Sequence, residues 1–143
     1  DISHEMLAAA GAAVALAGLQ RRIRLAHADA AGFDPARTFG RDSYDRIFMS
    51  YAASMIPRWR AVMGDAVRRL APGGELHVAD FGDMGGLQRP ARAAMHGWLD
   101  WHHVTPRADL FDVAADCAAE VGGSVEEVRL HRDFSWIAIV RRP

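Results

Sequence analysis

The 143-residue sequence contains no lysine, and all 17 of its basic residues are arginine. That absence excludes several chemistries. A Walker A loop needs a lysine on its phosphates, a pyridoxal enzyme needs a Schiff-base lysine, and a protein kinase needs one on the ATP phosphates. Cysteine is nearly absent too. Cys117 stands alone, so no intrachain disulfide can form, as suits a reducing compartment. No apolar run approaches the roughly 20 residues that span a bilayer. The stretch "LAAAGAAVALAGL" is too short and too rich in alanine for that, and it lacks the basic leader of a signal peptide. A net charge of −1 gives no general attraction to nucleic acid. The expectation from these limits is a cytoplasmic domain with no nucleic-acid partner.

Half of the residues are hydrophobic and 24% are charged, enough to build one core in a chain of this length. The spacing of Leu7, Ala10, Val14 and Ala17 predicts a helix from Ser3, its cap, to about Gly18. "IRLAHAD" (23–29) reads as a strand and "AAGFDPARTFGRDS" as a loop. The block Ile47-Phe48-Met49 predicts a strand covered on both faces. Pro57 suits the first turn of a helix running through Trp59, Val62, Met63, Ala66, Val67 and Leu70, and "APGG" (71–74) stops it. "ELHVADF" reads as a strand. A helix with Ala91, Met95, Trp98 and His102 on one face follows, then one with Leu110, Val113, Cys117 and Val121 on a stripe. "SVEEVRLHRDF" and "SWIAIVRR" are too closely joined for a parallel crossover, so an antiparallel hairpin at the sheet edge is expected. The alternation argues for an α/β fold with a mostly parallel sheet.

Ligands of open α/β sheets sit beyond the carboxyl ends of the strands. There the chain delivers Asp1, then Asp29, then Ser50 and Tyr51, then Asp80. Two acids at successive strand tips suit an adenosine: one carboxylate for the ribose hydroxyls, the other for the adenine amino group. Ile2 can lie against the ring. Asp80 equally suits a helix cap or a loop anchor. A dinucleotide dehydrogenase also places an acid after its second strand. The Tyr-x-x-x-Lys pair of the short-chain dehydrogenases is excluded by the missing lysine.

"DISHEML", "LAHADA" and "LAPGGELHVADF", in that order, resemble the class I S-adenosylmethionine-dependent methyltransferases. The resemblance covers most of the chain. It implies a Rossmann-like, mostly parallel sheet ending in an antiparallel hairpin, with S-adenosyl-L-methionine as cofactor. It places Asp1 at the ribose with Ile2 beside it, Asp29 at the adenine with Ala30 beside it, and Ser50 near the methionine part. The glycine-rich strand, loop and helix of that family has no counterpart here. The 143 residues are therefore expected to be the C-terminal part of a single methyltransferase domain, without its first strand and weak in cofactor affinity alone. "FMSYAASMIPRWR" (48–60) and "HVTPR" (103–107) are similar to the betaine-lipid branch, which N-methylates diacylglyceryl homoserine, and to its phosphatidylethanolamine-methylating relatives. That narrower resemblance implies a lipid amine head group as acceptor.

Within it, Tyr51 and His103 are the candidates for positioning or deprotonating the amine, and Arg107 for holding a carboxylate or phosphate of the head group. Alternatives are a small-molecule or quinone-precursor C- or O-methyltransferase, and a noncatalytic Rossmann-like binding domain or inactive fragment. No metal is expected. His96, His102 and His103 crowd together but match no zinc-ligand spacing. Cys117 reads as core. Trp98, Trp101, Arg89 and Arg92 share one predicted helix. They suit either packing on the sheet, the preferred reading, or peripheral contact with the inner face of a membrane. Arg21, Arg22 and Arg24 read as a solvated helix end.

Overall fold

A computed structural model describes all 143 residues, Asp1–Pro143. The chain divides into two compact units, Asp1–Asp42 and Ser43–Pro143.

In the first unit, Ser3 caps helix α1 (His4–Leu16), its hydroxyl accepting from the Met6 amide at 3.2 Å. Leu7, Ala10 and Val14 form the half-buried side of the helix, and Gly18 follows its end at φ +67°. The expected strand 23–29 does not form a ladder. It runs alongside a single residue: the amino group of Asp1 donates to the Ala26 carbonyl at 3.1 Å, and the Ala28 amide donates to the Asp1 carbonyl at 3.0 Å. Those two bonds are one rung of parallel pairing, and one rung is too few to define a strand. The expected loop after it holds a short helix, α2 (Pro35–Phe39). Asp34 accepts from the Arg37 amide, proline takes the first turn, and Gly40 closes the helix at φ +72°.

The second unit is a four-stranded sheet in the order β1-β2-β4-β3. Strand β1 (Tyr44–Ser50) pairs parallel with β2 (Leu70–Phe81). Strand β4 (Ser135–Arg141) lies antiparallel to both β2 and β3 (Ser124–Leu130). The α/β class and the closing hairpin are as expected, and one of the sheet's three pairings is parallel. Helix α3 (Trp59–Arg68) makes the crossover between β1 and β2 and begins after Pro57, which lies in the preceding turn. Leu70 is the buried first residue of β2 rather than a helical one. The helix ends at Arg68, before "APGG" (71–74), which does not stop it but bulges out of β2, because the pairing jumps from Tyr44–Leu70 to Arg46–Glu75. A Cβ on Gly74 would sit 2.8 Å from the Ala71 carbonyl oxygen, so the bulge requires glycine there.

Helix α5 (Leu110–Glu120) joins α3 on one sheet face. Trp59, Met63 and Val67 of α3 and Leu110, Ala114 and Cys117 of α5 close over Leu76, Val78, Ala138 and Val140. Cys117 is core, and burial first, then nearby acids, pushes its thiol pKa up. Ile47 and Met49 pack on this core, but Phe48 points the other way and is 69% exposed. β1 is thus covered on one face only, since both helices lie on the same side. On the outer face Glu75 links Arg46, His77 and Arg141. The hydrogen bond to His77, then that to Arg141, holds its carboxyl below the ordinary range. Helix α4 (Arg89–Trp101) packs Leu99 and Met95 on a second cluster with Met84 and Val104. Its half-buried or buried positions are Arg92, Met95, His96 and Leu99, a face rotated by about one residue from the expected one. Trp98 and Trp101 are therefore not packed on the sheet; they are 51% and 76% exposed.

Candidate functional site

In the first unit, the parallel rung at Asp1 places its carboxylate at the end of one extended segment, with Asp29 at the end of the neighbouring one. Each acid is held by its own turn. Oδ1 of Asp1 accepts from the Ser3 amide at 2.8 Å, and Oδ1 of Asp29 accepts from the Ala31 amide at 2.9 Å. Oδ2 of each carboxylate stays available to a ligand hydroxyl or amino group. Ile2, Asp29 and Ala30 are exposed, and the Ile2 carbonyl is engaged by the His27 ring at 2.9 Å. His27 stacks on His4 at 4.0 Å between ring centroids, which ties the turn after Asp1 to the turn before Asp29. Two acceptor carboxylates and an exposed isoleucine fit the adenosine end of an S-adenosylmethionine-type cofactor.

In the second unit, β1 and β2 are parallel, so their carboxyl ends share one edge of the sheet. Ser50 is exposed there. Tyr51 continues the ladder by donating its amide to the Ala79 carbonyl at 2.7 Å, then turns off at φ +49°. A left-handed conformation is uncommon for a bulky residue. Here the Tyr51 ring packs edge-on against Phe81 at 4.9 Å, and its hydroxyl lies 3.1 Å from Ser135 Oγ. Phe81 in turn meets Phe134 at 5.7 Å. The tyrosine is 39% exposed, with its polar end on the buried Ser135.

The loop after Tyr51 is held from two sides. Asp80 is fully buried at the end of β2, with one carboxylate oxygen accepting from the Ser54 amide and the other from the Phe81 amide, both at 2.8 Å. Of its two sequence readings, the loop anchor is the one formed. Opposite it, Arg107 donates Nε to the Ala53 carbonyl at 2.9 Å and Nη2 to the carbonyls of Ser54 and Ile56 at 3.3 and 3.2 Å. The guanidinium also lies over the Trp59 ring at 5.7 Å, and the Thr105 amide donates to the Ser54 carbonyl at 3.2 Å. The fork expected to hold a head group is thus engaged with main chain. Residues 48–60 and 103–107, remote in sequence, form one structure. His103 stands apart. It closes α4 at φ +57° with its ring exposed, and no hydrogen bond joins it to Tyr51.

Sequence reasoning missed Ser54, whose hydroxyl is buried without a hydrogen-bond partner, and the clamp role of Arg107. Nothing local marks either, since both depend on contacts between residues about fifty apart. A groove of about 600 Å³ between α3 and α5 is lined by Arg60, Arg68, Asp112 and Cys117. No three His, Cys, Asp or Glu residues are grouped to hold a metal ion.

Solved structures with this fold are numerous. An O-methyltransferase family protein from Burkholderia thailandensis matches 94% of this chain and 40% of its own at 19% identity, with a TM-score of 0.69. The N-methyltransferase NodS from Bradyrhizobium japonicum, in complex with S-adenosyl-L-homocysteine, matches 94% of this chain and 62% of its own at 19% identity, with a TM-score of 0.60. The cyclase SpnF matches 99% of this chain and 64% of its own at 13% identity, with a TM-score of 0.73. The chain thus spans about 40–64% of the length of these proteins. Comparison with curated proteins finds no match. The family model described as "Methyltransferase domain" matches residues 1–78, from Asp1 through most of β2. With more than half of its residues under that model, the chain belongs to the methyltransferase domain family.

Proposed function

We propose that this chain is part of an S-adenosylmethionine-dependent methyltransferase acting on a lipid amine head group. One observation carries the cofactor reading: the parallel rung that sets Asp1 and Asp29 at the ends of adjacent segments, each with a carboxylate oxygen left for a ligand. Asp1 takes the ribose hydroxyls, Asp29 the adenine amino group, and Ile2 and Ala30 lie along the ring. Ser50 is assigned to the methionine end. When bound, the cofactor supplies an activated methyl group. The protein's task is then orientation and exclusion of water.

The acceptor amine must be neutral to react, so a nearby base or water has to take its proton. Tyr51 is assigned to orient the amine, its hydroxyl steadied by Ser135. His103 is assigned to accept the proton, since an exposed imidazole exchanges it with solvent. Arg107 is assigned to positioning: it holds the loop that follows Tyr51 through the carbonyls of Ala53, Ser54 and Ile56. The lipid acceptor is supported by the convergence of 48–60 and 103–107, the two stretches that resemble the betaine-lipid branch, on one clamp.

Titration of S-adenosylhomocysteine into the chain and its Asp29→Ala variant tests the cofactor reading; equal heats in both would overturn it. Methyl transfer to diacylglyceryl homoserine, phosphatidylethanolamine and quinone precursors, by the protein that carries this chain, tests the acceptor. Transfer to the quinone precursors alone would replace the lipid reading.

A further inference from the structure

Three neighbouring strands carry an aromatic residue at the same edge of the sheet. Tyr51 follows β1, Phe81 closes β2 and Phe134 precedes β4, and the strands are adjacent in the order β1-β2-β4. This edge holds the carboxyl ends of the parallel pair, where ligands of open α/β sheets sit. The rings meet as successive corners: Tyr51 and Phe81 lie 4.9 Å apart at 62°, and Phe81 and Phe134 lie 5.7 Å apart at 83°. Phe81 and Phe134 rest on the second core cluster, against Met84, Leu99 and Val104, and stay half-buried. Tyr51 is the exposed member. Its left-handed backbone is one that a bulky residue adopts only where its surroundings enforce it. Here the Ala79 carbonyl holds its amide and Ser135 Oγ meets its hydroxyl.

Two further features mark this corner. Elsewhere the chain covers its rings with arginine: Phe39, Trp59, Phe111 and Trp136 each carry a guanidinium between 4.9 and 5.7 Å from the ring centre. No guanidinium lies over Tyr51, Phe81 or Phe134. The polar groups of this edge are also engaged already. The Tyr51 hydroxyl is on Ser135, and Asp80, at the end of β2, gives both carboxylate oxygens to main-chain amides. A primary ammonium brings three donors and needs acceptors. A quaternary ammonium brings no donor, and aromatic rings attract it by their faces.

We propose that Tyr51, Phe81 and Phe134 form a binding site for a methylated ammonium. The site deepens the proposed function and rests on it for the reaction: the nitrogen it holds is the methylated amine of the acceptor. Acceptors that already carry methyl groups are then bound ahead of primary amines, and the fully methylated product is held as well. The charge of the nitrogen lies against the ring faces, and its methyl groups fill the corner between them. A free ammonium and a lipid head group carry the same chemistry. No helix of this chain is long and apolar enough to cross a membrane.

The test is saturation-transfer NMR of choline on this chain, beside ethanolamine and the neutral carbon analogue of choline. Choline is expected to bind more tightly than either, by roughly threefold to tenfold. Tyr51→Leu is expected to lower choline affinity by roughly the same factor, and Tyr51→Phe, which keeps the ring, to preserve it. Phe134→Leu repeats the measurement on the other side of Phe81. Unchanged circular dichroism would confirm that the variants fold. Absence of saturation in choline, equal binding of its neutral analogue, tighter binding of ethanolamine, or indifference to Tyr51→Leu each overturns the proposal. Competition with a short-chain phosphatidylcholine identifies the source: a tighter lipid supports a head group in the ring site, and a tighter choline supports a free ammonium there. Choline binding requires neither cofactor nor methyl transfer. Its loss with transfer intact removes the ring site alone, and failure of the acceptor panel with choline binding intact removes the lipid reading alone.

Discussion

Replacing Arg107 by alanine separates a clamp from a head-group anchor. The guanidinium makes three bonds to main-chain carbonyls, one of them at 2.9 Å and two beyond 3.1 Å. Their loss is uneven. The Ser54 carbonyl keeps the Thr105 amide, and the Ile56 carbonyl belongs to a half-buried residue that water can reach. The Ala53 carbonyl belongs to a fully buried residue and loses the partner that Arg107 supplies. An orphaned buried acceptor costs about 1–3 kcal/mol, and the weaker bonds and the contact with Trp59 add about 1 kcal/mol. The expected destabilisation is therefore about 2–4 kcal/mol, a fall in Tm of roughly 6–16 °C for a chain of this size. Thermal unfolding followed by circular dichroism measures it. Arg107→Lys should recover part of the loss, since an ammonium can reach one carbonyl but lacks the fork. Hydrogen exchange should localise the change, with the Ser54 amide exchanging faster in Arg107→Ala. A head-group anchor would behave differently: its removal would leave Tm and exchange unchanged and raise only the KM for the acceptor. That result would refute the clamp.

The other end of the clamp gives a second expectation. Asp80→Asn turns one acceptor oxygen into a donor facing an amide of Ser54 or Phe81, and should cost about 1–3 kcal/mol in urea unfolding. In Gly82→Ala the new Cβ would collide with the Asp133 carbonyl oxygen and sit 2.6 Å from Trp136 Nε1, so a loss of about 2 kcal/mol or more is expected, with the hairpin tip displaced in the spectra of His131–Asp133. Glu75 has a folded pKa below the ordinary glutamate value of 4.5, through His77 and then Arg141, so its contribution is present above that value and is lost as pH falls through the lower folded one. Glu75→Gln should flatten that part of the acid limb of stability, as read by unfolding at stepped pH. Burial raises the Cys117 thiol, so the native chain should react with a maleimide far more slowly than the unfolded one.

Elements with a strong local signal were legible in the sequence. Ser3 reads as a cap and is one, because a hydroxyl next to the first helical turn finds an orphan amide whatever the rest of the fold does. The closing hairpin followed from the shortness of its connection. Legibility failed where geometry depends on distant partners. The segment 23–29 has the composition of a strand but only Asp1 beside it, and pairing, not composition, makes a ladder. Local cues in "FDPARTFG" (33–40) were present at Asp34-Pro35 and Gly40, and α2 forms on them; the helix is too short for a periodic pattern to reveal it. On α4 the apolar residues outnumber those the core can take. Periodicity alone could not say whether Leu99 or Trp98 faces inward.

The candidate site shows the same division, and the division has a physical meaning. The turns at Asp1 and Asp29 are local, each carboxylate bonding an amide two residues on, whereas their placement side by side rests on the rung that joins Asp1 to Ala26 and Ala28. Arg107 was misjudged because an arginine near a strand tip looks the same whether its fork faces a ligand or a carbonyl. What decides is the conformation of 51–56. Tyr51 leaves β1 in a left-handed turn, which directs the next residues back toward Asp80 and brings the carbonyls of Ala53, Ser54 and Ile56 to one place. A carboxylate on the amide side and a guanidinium on the carbonyl side then fix the loop with opposite charges. Neither is free to change without the other: removing Asp80 would leave Arg107 on a loop no longer anchored to β2, and removing Arg107 would leave the Ser54 amide tethered with its carbonyls loose. The two substitutions should therefore be less than additive in a double-mutant cycle, with a coupling of about 0.5–3 kcal/mol. Strict additivity would mean that the loop is held by its own sequence, and that the pairing of 48–60 with 103–107 is incidental.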